Sequence, residues 1–387
     1  MKKLTIFTLL LLSMTTMMSN VAIVTTLPQL KEYFIYIDDI EFYSRLMLTL
    51  PSLVIAILAP VLGHIIFKFG KKKSTLYALS IFAISGSAGL YLDTIELLLL
   101  SRAVFGIGVA SLMIVSTSLV GDYFKDHERH KFMGFQSAFT AVGGMMFVTG
   151  GGFLSDISWR YPFGIYIIGA LLLPMVYKYL KEVKITTQVI EEDVSINSNM
   201  FFVYALAFFF MLIFFILPTQ IPFLLIESFK ASGSTTGMII AIAFLSNAMG
   251  AIFFSKLKTR YNFSTIYIIG LFITGIGFAA IGMVSSVTVF FFTSPIVGFG
   301  GGIMMTNMTA WMLSKTSLKK RVKSSGYFTS ALFLGQFFSP IIFHPVVSRM
   351  PVQDFFFLIG VSLMMLVVLS ALYLTTKKRA IVLKNKV

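Results

Sequence analysis

Cysteine is absent from this sequence, which excludes disulfides, thiolate metal centres and thiol nucleophiles at once. Charge is scarce: Asp, Glu, Lys and Arg make up 12% of the residues against 57% that are hydrophobic, a balance at which a water-soluble fold of 387 residues would aggregate. Histidine occurs four times, at His64, His127, His130 and His344, with no paired spacing for a metal and no evident catalytic partner. A Walker phosphate loop is missing, so any work the chain does on another molecule must draw on a gradient rather than on ATP.

What remains is apolar and repetitive. The chain has 41 Phe and 22 Met, its mean hydropathy is +0.88, and apolar runs recur near the ~20 residues that a bilayer core requires. These features predict a polytopic membrane protein. The net charge of +15 would suggest nucleic acid in a soluble protein, but the 31 Lys and Arg stand in short clusters between apolar runs, which is how membrane topology is encoded. Nucleic acid is therefore not expected as a partner, and no metal or cofactor is.

Twelve helices are predicted, at about 5–29, 44–66, 74–92, 97–121, 132–153, 161–180, 200–226, 235–256, 264–284, 287–313, 324–344 and 354–376. The first begins like a signal peptide, with Lys2 and Lys3 before an apolar stretch, but no small-residue cleavage site follows and apolar character continues to Leu27, so it reads as a retained helix. With both termini inside, 25 of the 31 basic residues fall on the cytoplasmic side, and only Lys31, Arg45, Arg102, Arg160, Lys230 and Arg349 fall in the outer half. The longest hydrophilic connection, Lys181 to Asn199, separates helices 6 and 7. The expected organisation is thus an N-terminal six-helix bundle (1–180), a cytoplasmic linker (181–199) and a C-terminal six-helix bundle with a short cytoplasmic tail (200–387).

Sliding one half along the other shows a faint repeat. At an offset of 192, Gly106 meets Gly298, Gly108 meets Gly300, Arg129 meets Arg321, Lys131 meets Lys323, Gly134 meets Gly326, Gly143 meets Gly335 and Phe163 meets Phe355. Near the start of each half the offset is 194, so that Thr25, Thr26, Leu27 and Pro28 meet Thr219, Gln220, Ile221 and Pro222. An even number of helices per half gives both copies the same orientation, a parallel repeat.

Three local patterns complete the picture. The loop after helix 2 reads Gly63-His64-Ile65-Ile66-Phe67-Lys68-Phe69-Gly70-Lys71-Lys72, and helix 4 carries Arg102-Ala103-Val104-Phe105-Gly106-Ile107-Gly108-Val109-Ala110. Helix 5 holds Gly134, Gly143, Gly144 and Gly151; Gly144 and Gly151 lie seven apart, on nearly one face, as a close-packed gating contact would need. Together these resemble the major facilitator superfamily, particularly its twelve-helix drug and metabolite efflux branch. The loop is similar to that family's Gly-x-x-x-Asp-Arg-x-Gly-Arg-Lys signature, with Phe67 at the Asp position that in relatives helps latch the two halves. The helix 4 run is similar to Arg-x-x-x-Gly-x-Gly-x-Ala. Helix 5 is similar to the antiporter motif, with Val148 where that motif has Pro; the second copy supplies Pro340 there. The same glycines serve generic helix packing equally well.

The resemblance implies an all-α membrane protein of two six-helix bundles related by pseudo-twofold symmetry, with a substrate path near mid-membrane. Path candidates are the polar residues at depth: Asn20, Thr25, Thr26 and Gln29 in helix 1, Arg102 in helix 4, Thr219 and Gln220 in helix 7, Asn307 and Thr309 in helix 10. Arg102 reads either as a path-facing charge or as an arginine snorkelling to the outer interface. Pro28 and Pro222 either kink helices 1 and 7 or terminate them. No acidic residue sits in the middle of a span, which disfavours a cation-specific pump.

The expected function is secondary active transport of a small amphipathic or anionic organic molecule by alternating access: efflux coupled to protons, in the inner membrane, by a monomer. Nutrient uptake and, remotely, a membrane-embedded transferase are the alternatives. The topology is testable by reporter fusions: a fusion at Glu191 should give cytoplasmic-reporter activity and one at Asp39 periplasmic-reporter activity, and the opposite pattern at either site would remove the twelve-helix layout.

Overall fold

The computed structural model describes residues 3–124, 126–182, 198–316 and 321–384, and every regular element among them is helical. In chain order these are α1 (Lys3–Val21), α2 (Leu27–Tyr33), α3 (Ile40–Phe69), α4 (Lys71–Gly86), α5 (Ile95–Tyr123), α6 (Asp126–Ser155), α7 (Ile168–Tyr179), α8 (Ser198–Phe214), α9 (Ile216–Phe223), α10 (Gly233–Lys258), α11 (Phe263–Gly282), α12 (Val287–Ser314), α13 (Arg321–Val347) and α14 (Val352–Lys384). Hydrocarbon offers a backbone no water to bond, so helices that satisfy their own amides are what such apolar runs must form.

Among the described residues, eleven stretches are long and apolar enough to cross a bilayer. The predicted helix 3 is the exception: α4 has 16 residues and passes into a 3-10 turn, Ser87–Leu90, so regular α-helix stops short there. The cause is local. Gly86 and Gly89 make room for the rings of Tyr166 and Phe163, which pack where side chains would otherwise stand. Two predicted crossings are broken in the middle. The first runs as α1, a 3-10 turn at Val24–Thr26, and α2, with Pro28 in the opening turn of α2 where its missing amide costs nothing. The seventh runs as α8, α9 and a π-helical turn, Leu224–Ser228, which begins just after Pro222 removes a helix hydrogen bond.

The chain gathers into two compact units, Met1–Ala241 with Met312–His344, and Ile242–Trp311 with Pro345–Val387. In the first, α1 packs on α5, α6 and α7, α3 on α5, and α4 on α5 and α7, while α8 and α9 join them. In the second, α11 packs on α14. Of the predicted linker, residues 183–197 lie outside the described residues.

Two of the glycine pairs kept by the repeat, Gly106/Gly298 and Gly108/Gly300, make equivalent contacts in both copies. A methyl group added at Gly106 would strike the Pro51 carbonyl, and one at Gly298 would strike the Ala243 carbonyl, which is 192 residues on. Gly108 lies against the backbone at Ala78 and Phe82, Gly300 against Gly270 and Thr274, again at an offset of 192. Gly143 meets the Met14 side chain and Gly335 the Phe208 carbonyl, so these two share partner positions, at the offset of 194 that belongs to the first helix of each copy, but not the kind of contact; Gly326 has nothing within 4 Å. Such approaches of backbone to backbone are where helices in lipid gain dispersion energy, and only glycine permits them. Pro340 is buried in α13. Gly134 lies in α6 outside the residues whose surroundings are described.

Two expected packing positions are corrected. Gly63 has nothing within 4 Å of where a Cβ would stand, so it makes no close contact. Gly144 meets only Met17, a flexible side chain that can move aside, whereas Gly151 sits directly on the Ala22 carbonyl at the end of α1. The close contact on α6 is therefore made by Gly151. Gly150, one residue away, faces open space. Gly151→Val should cost about 1–3 kcal/mol of stability through overpacking, while Gly150→Val should stay within about 0.5 kcal/mol of the parent; thermal unfolding of the purified protein in detergent measures both, and equal midpoints for the two variants would remove the contact.

Candidate functional site

Arg102 is the charge that sequence reasoning placed on the path, and the structure places it elsewhere. Its side chain is 0% exposed, and its Nη2 donates to the carbonyls of Ser85 and Gly86 at 2.8 and 2.6 Å. Those carbonyls lie in the last turn of α4, at its passage into the 3-10 turn, where regular α-helical bonding ends. The rings of Phe105, Phe163 and Tyr166 surround the guanidinium at 4.6, 5.1 and 5.2 Å from their centroids. Arg102 thus caps a helix end by charge and hydrogen bonds, shielded by aromatic faces. Fully buried in this conformation, it does not snorkel to the outer interface, and its donors go to the carbonyls that α4 offers by ending one turn early.

The remaining candidates divide between two places. Thr25, Thr26, Thr219 and Gln220 are all buried, and the 3-10 turn carrying the two threonines of the first crossing packs against α9, which carries the other two residues. Thr26 and Thr219 bond back to the carbonyls of Ile23 and Phe215, while Thr25 Oγ1 and Gln220 Oε1 have no hydrogen-bond partner. Gln29 Nε2 donates to the Ser155 carbonyl at 2.8 Å, tying α2 to the end of α6. Asn307 belongs to the second unit, where its Nδ2 donates to the Phe263 carbonyl at 3.0 Å and holds α12 to the start of α11, and Thr309 bonds back to Met305. The side chains of Asn20 and Phe67 lie outside the described residues.

Beside Gln29 lies a cluster of charges that the sequence reading did not bring together. Lys31 on α2 pairs with Glu227 of the π turn at 3.0 Å and with Glu41 of α3 at 3.2 Å. Glu41 also binds Arg45, one helical turn on, and the Arg45 guanidinium stacks on the Phe223 ring of α9 at 4.6 Å. Arg45 is 0% exposed, whereas Lys31, Glu41 and Glu227 keep 31, 29 and 39% of their side-chain surface. The signal available in the sequence was the Glu41/Arg45 spacing of four, which puts both on one helix face.

A second polar contact closes the same end. Asp156, just past α6, accepts hydrogen bonds from the amides of Gly233 and Ser234 at 2.5 and 3.0 Å, at the start of α10. A carboxylate there satisfies helix-terminal donors and opposes the positive end of the helix dipole. Gly152 and Gly233 allow the two backbones to touch. Two open clefts flank these contacts: one of about 400 Å³ includes Gln29, Lys31, Glu227 and Lys230, and the other, of about 340 Å³, includes Gln29, Tyr33, Asp156 and Trp159.

At the opposite end Gly70, with φ of +90°, makes the turn between α3 and α4 that other residues rarely adopt. Glu182 accepts from the amides of Lys71 and Lys72 at 2.6 and 3.0 Å, a carboxylate on the α4 N-terminus reached from the far end of the crossing that α7 completes.

The comparisons with known proteins agree with this architecture. The Major Facilitator Superfamily model matches residues 9–224 and again 200–387. The chain belongs to the major facilitator superfamily. That is a family of transporters rather than of enzymes, which sets the membrane-embedded transferase aside. Among similar sequences, Multidrug resistance protein 3 of Bacillus subtilis is 30% identical over 153 residues, 38% of this chain and 29% of that relative. Quinolone resistance protein NorA of Staphylococcus aureus is 31% identical over 115 residues, 30% of this chain and 29% of that relative. Each match therefore spans less than a third of the relative's length. Among solved structures, a bacterial homolog to the human lysosomal transporter Spinster, in an inward-facing and occupied conformation, superposes with a TM-score of 0.75 at 16% identity, covering 97% of this chain and 96% of that one. The xylose transporter XylE from E. coli, inward open, gives 0.76 at 14% identity, covering 94% of each chain. These two share the fold.

If Arg102 is a structural cap, Arg102→Ala should cost about 3 kcal/mol or more, from lost charged hydrogen bonds and the cavity left behind. Transport per folded molecule should change little. A variant with an unchanged unfolding midpoint but abolished transport would return Arg102 to the path.

Proposed function

We propose that the chain is a secondary active transporter that exports a small amphipathic or anionic organic molecule from the cytoplasm by alternating access, driven by protons. It acts as a monomer in the inner membrane with both termini inside, its halves 1–180 and 200–387 rocking about the path. The observation that carries this reading is the polar latch: α2 and α3 from the first repeat are held to the α9 end of the second by Lys31, Glu41, Arg45 and Glu227, while Asp156 holds the start of α10. Ion pairs that keep about a third of their surface in water are weak, on the order of 1 kcal/mol, which suits a contact that must form and break once per cycle. Generic helix packing would use apolar side chains there instead. Kinship with Multidrug resistance protein 3 and NorA supports efflux as the direction.

Coupling runs through Glu227, whose carboxylate meets Lys31. The charged groups around it are Lys31 from α2 and, at one remove, Glu41 and Arg45 from α3. The carboxylate holds Lys31 only while it is charged, which ties this pair to proton movement.

Proteoliposomes holding the purified protein provide the test. Counterflow of at least one member of a panel of amphipathic drugs, acidified in step with an imposed proton gradient, is the expected result. Glu227→Gln should keep counterflow, which needs no net proton movement, and lose most gradient-driven accumulation. Absence of counterflow across the panel would overturn transport of this class, and a gradient-driven Glu227→Gln would move the coupling elsewhere.

A further inference from the structure

The four charges of the latch are not shared evenly between the parts that must separate. Lys31 belongs to α2, Glu41 and Arg45 to α3, and Glu227 alone to the turn that continues α9. With the parts together, two cations face two anions. When α9 withdraws, Glu227 leaves with it, and the α2 and α3 side keeps two cations and a single carboxylate. Lys31 already lies 3.2 Å from that carboxylate. Arg45 and Lys31 are then left to share Glu41, one carboxylate between two cations, on the surface from which the Phe223 ring has just moved away.

The hydrogen bonding of Arg45 points the same way. Its side chain is fully buried, yet among the described residues only Nη2 has a hydrogen-bond partner; Nε and Nη1 have none there, and neither do the hydroxyls of Ser44 and Ser52 on the same helix. Buried donors are nearly always paired. Both bidentate edges of the guanidinium, Nε/Nη2 and Nη1/Nη2, include the Nη2 that Glu41 holds, so displacing Glu41 frees an edge that matches the two oxygens of a carboxylate, which an ammonium does not.

We propose that Arg45 is the anion-binding residue of the transport path, with Glu41 as its built-in competitor. As this end opens, a carboxylate on an amphipathic substrate replaces Glu41 on the guanidinium, and Glu41 passes to Lys31. As it closes, Glu227 reclaims Lys31, Glu41 returns to Arg45, and the substrate is expelled. The inference rests on the alternating-access reading and names the substrate class, an amphipathic organic anion.

Two fluorescent probes with one ring system and opposite charge, carboxyfluorescein and rhodamine 123, separate the possibilities by fluorescence polarisation on the full-length protein in detergent. Arg45→Gln should weaken carboxyfluorescein binding about tenfold or more and leave rhodamine 123 unchanged, with Arg45→Lys between it and the parent. Glu41→Gln should tighten carboxyfluorescein binding by about the same factor, because the competitor is gone. That gain is what a merely structural ion pair would not produce, and it stands even if Arg45→Gln fails to fold. Glu227→Gln changes the net charge equally without freeing Arg45 and should give a clearly smaller gain.

Equal gains for Glu41→Gln and Glu227→Gln, weaker anion binding in Glu41→Gln, or no carboxyfluorescein binding by the parent would each overturn the proposal. Counterflow by the parent protein decides the transport reading separately: a chain that moves rhodamine 123 but binds no anion keeps the transporter and loses this site.

Discussion

The middle of a bilayer holds no water to accept a stray proton donor or to solvate a bare carbonyl, and the rest of this structure follows from that constraint. Wherever a helix is interrupted, something in the protein must take over the orphaned groups. Arg102 does so at the end of α4, Glu182 at the start of α4, and Asp156 at the start of α10. Each of these charged residues is explained by the backbone it serves. Arg45 is not, since its guanidinium meets a ring and one carboxylate and no backbone carbonyl.

How much of this could be read in advance depended on the kind of signal. Hydropathy marks the crossings because burial in lipid is a bulk property of some twenty residues, and each predicted span overlaps an observed helix, although ends differ by up to eight residues and the third is shorter than a full crossing. The glycine repeat was legible for a similar reason: a backbone contact tolerates one residue type, so it survives in both copies at Gly106 and Gly298. Breaks within a crossing were not legible. The 3-10 turn after α4 depends on where Phe163 and Tyr166 pack, which no local pattern shows. That miss produced the misplacement of Arg102, because an arginine five residues inside a span has no visible partner until the neighbouring helix is seen to end. The latch was missed because its charges come from three separate stretches, and only the Glu41/Arg45 spacing was local.

The two kinds of interhelical contact suit different tasks. Glycine against a carbonyl is rigid and insensitive to pH, and it holds α3 to α5 and α10 to α12 within their own units. Carboxylates against amides and ammonium groups are weaker and partly hydrated, and they stand where α2, α3, α9 and α10 come together. A carrier needs both, since permanent contacts keep its moving bodies intact and soluble ones let them part.

The equivalent glycine contacts also speak to how such a chain arose. Pro51 and Ala243 are different residues, as are Ala78 and Gly270, yet each presents the same backbone atom to the same glycine at the same register. An ancestral duplication that fixed the geometry of main chain against main chain would leave this trace, because side chains on the carbonyl-bearing helix are free to diverge while the glycine opposite is not. Each copy has thus drifted on one side of the contact only. The pairing of helices within a copy is inherited through atoms that every amino acid shares, and the family can exchange almost its whole vocabulary of side chains, and with it the molecules it carries, while keeping one frame.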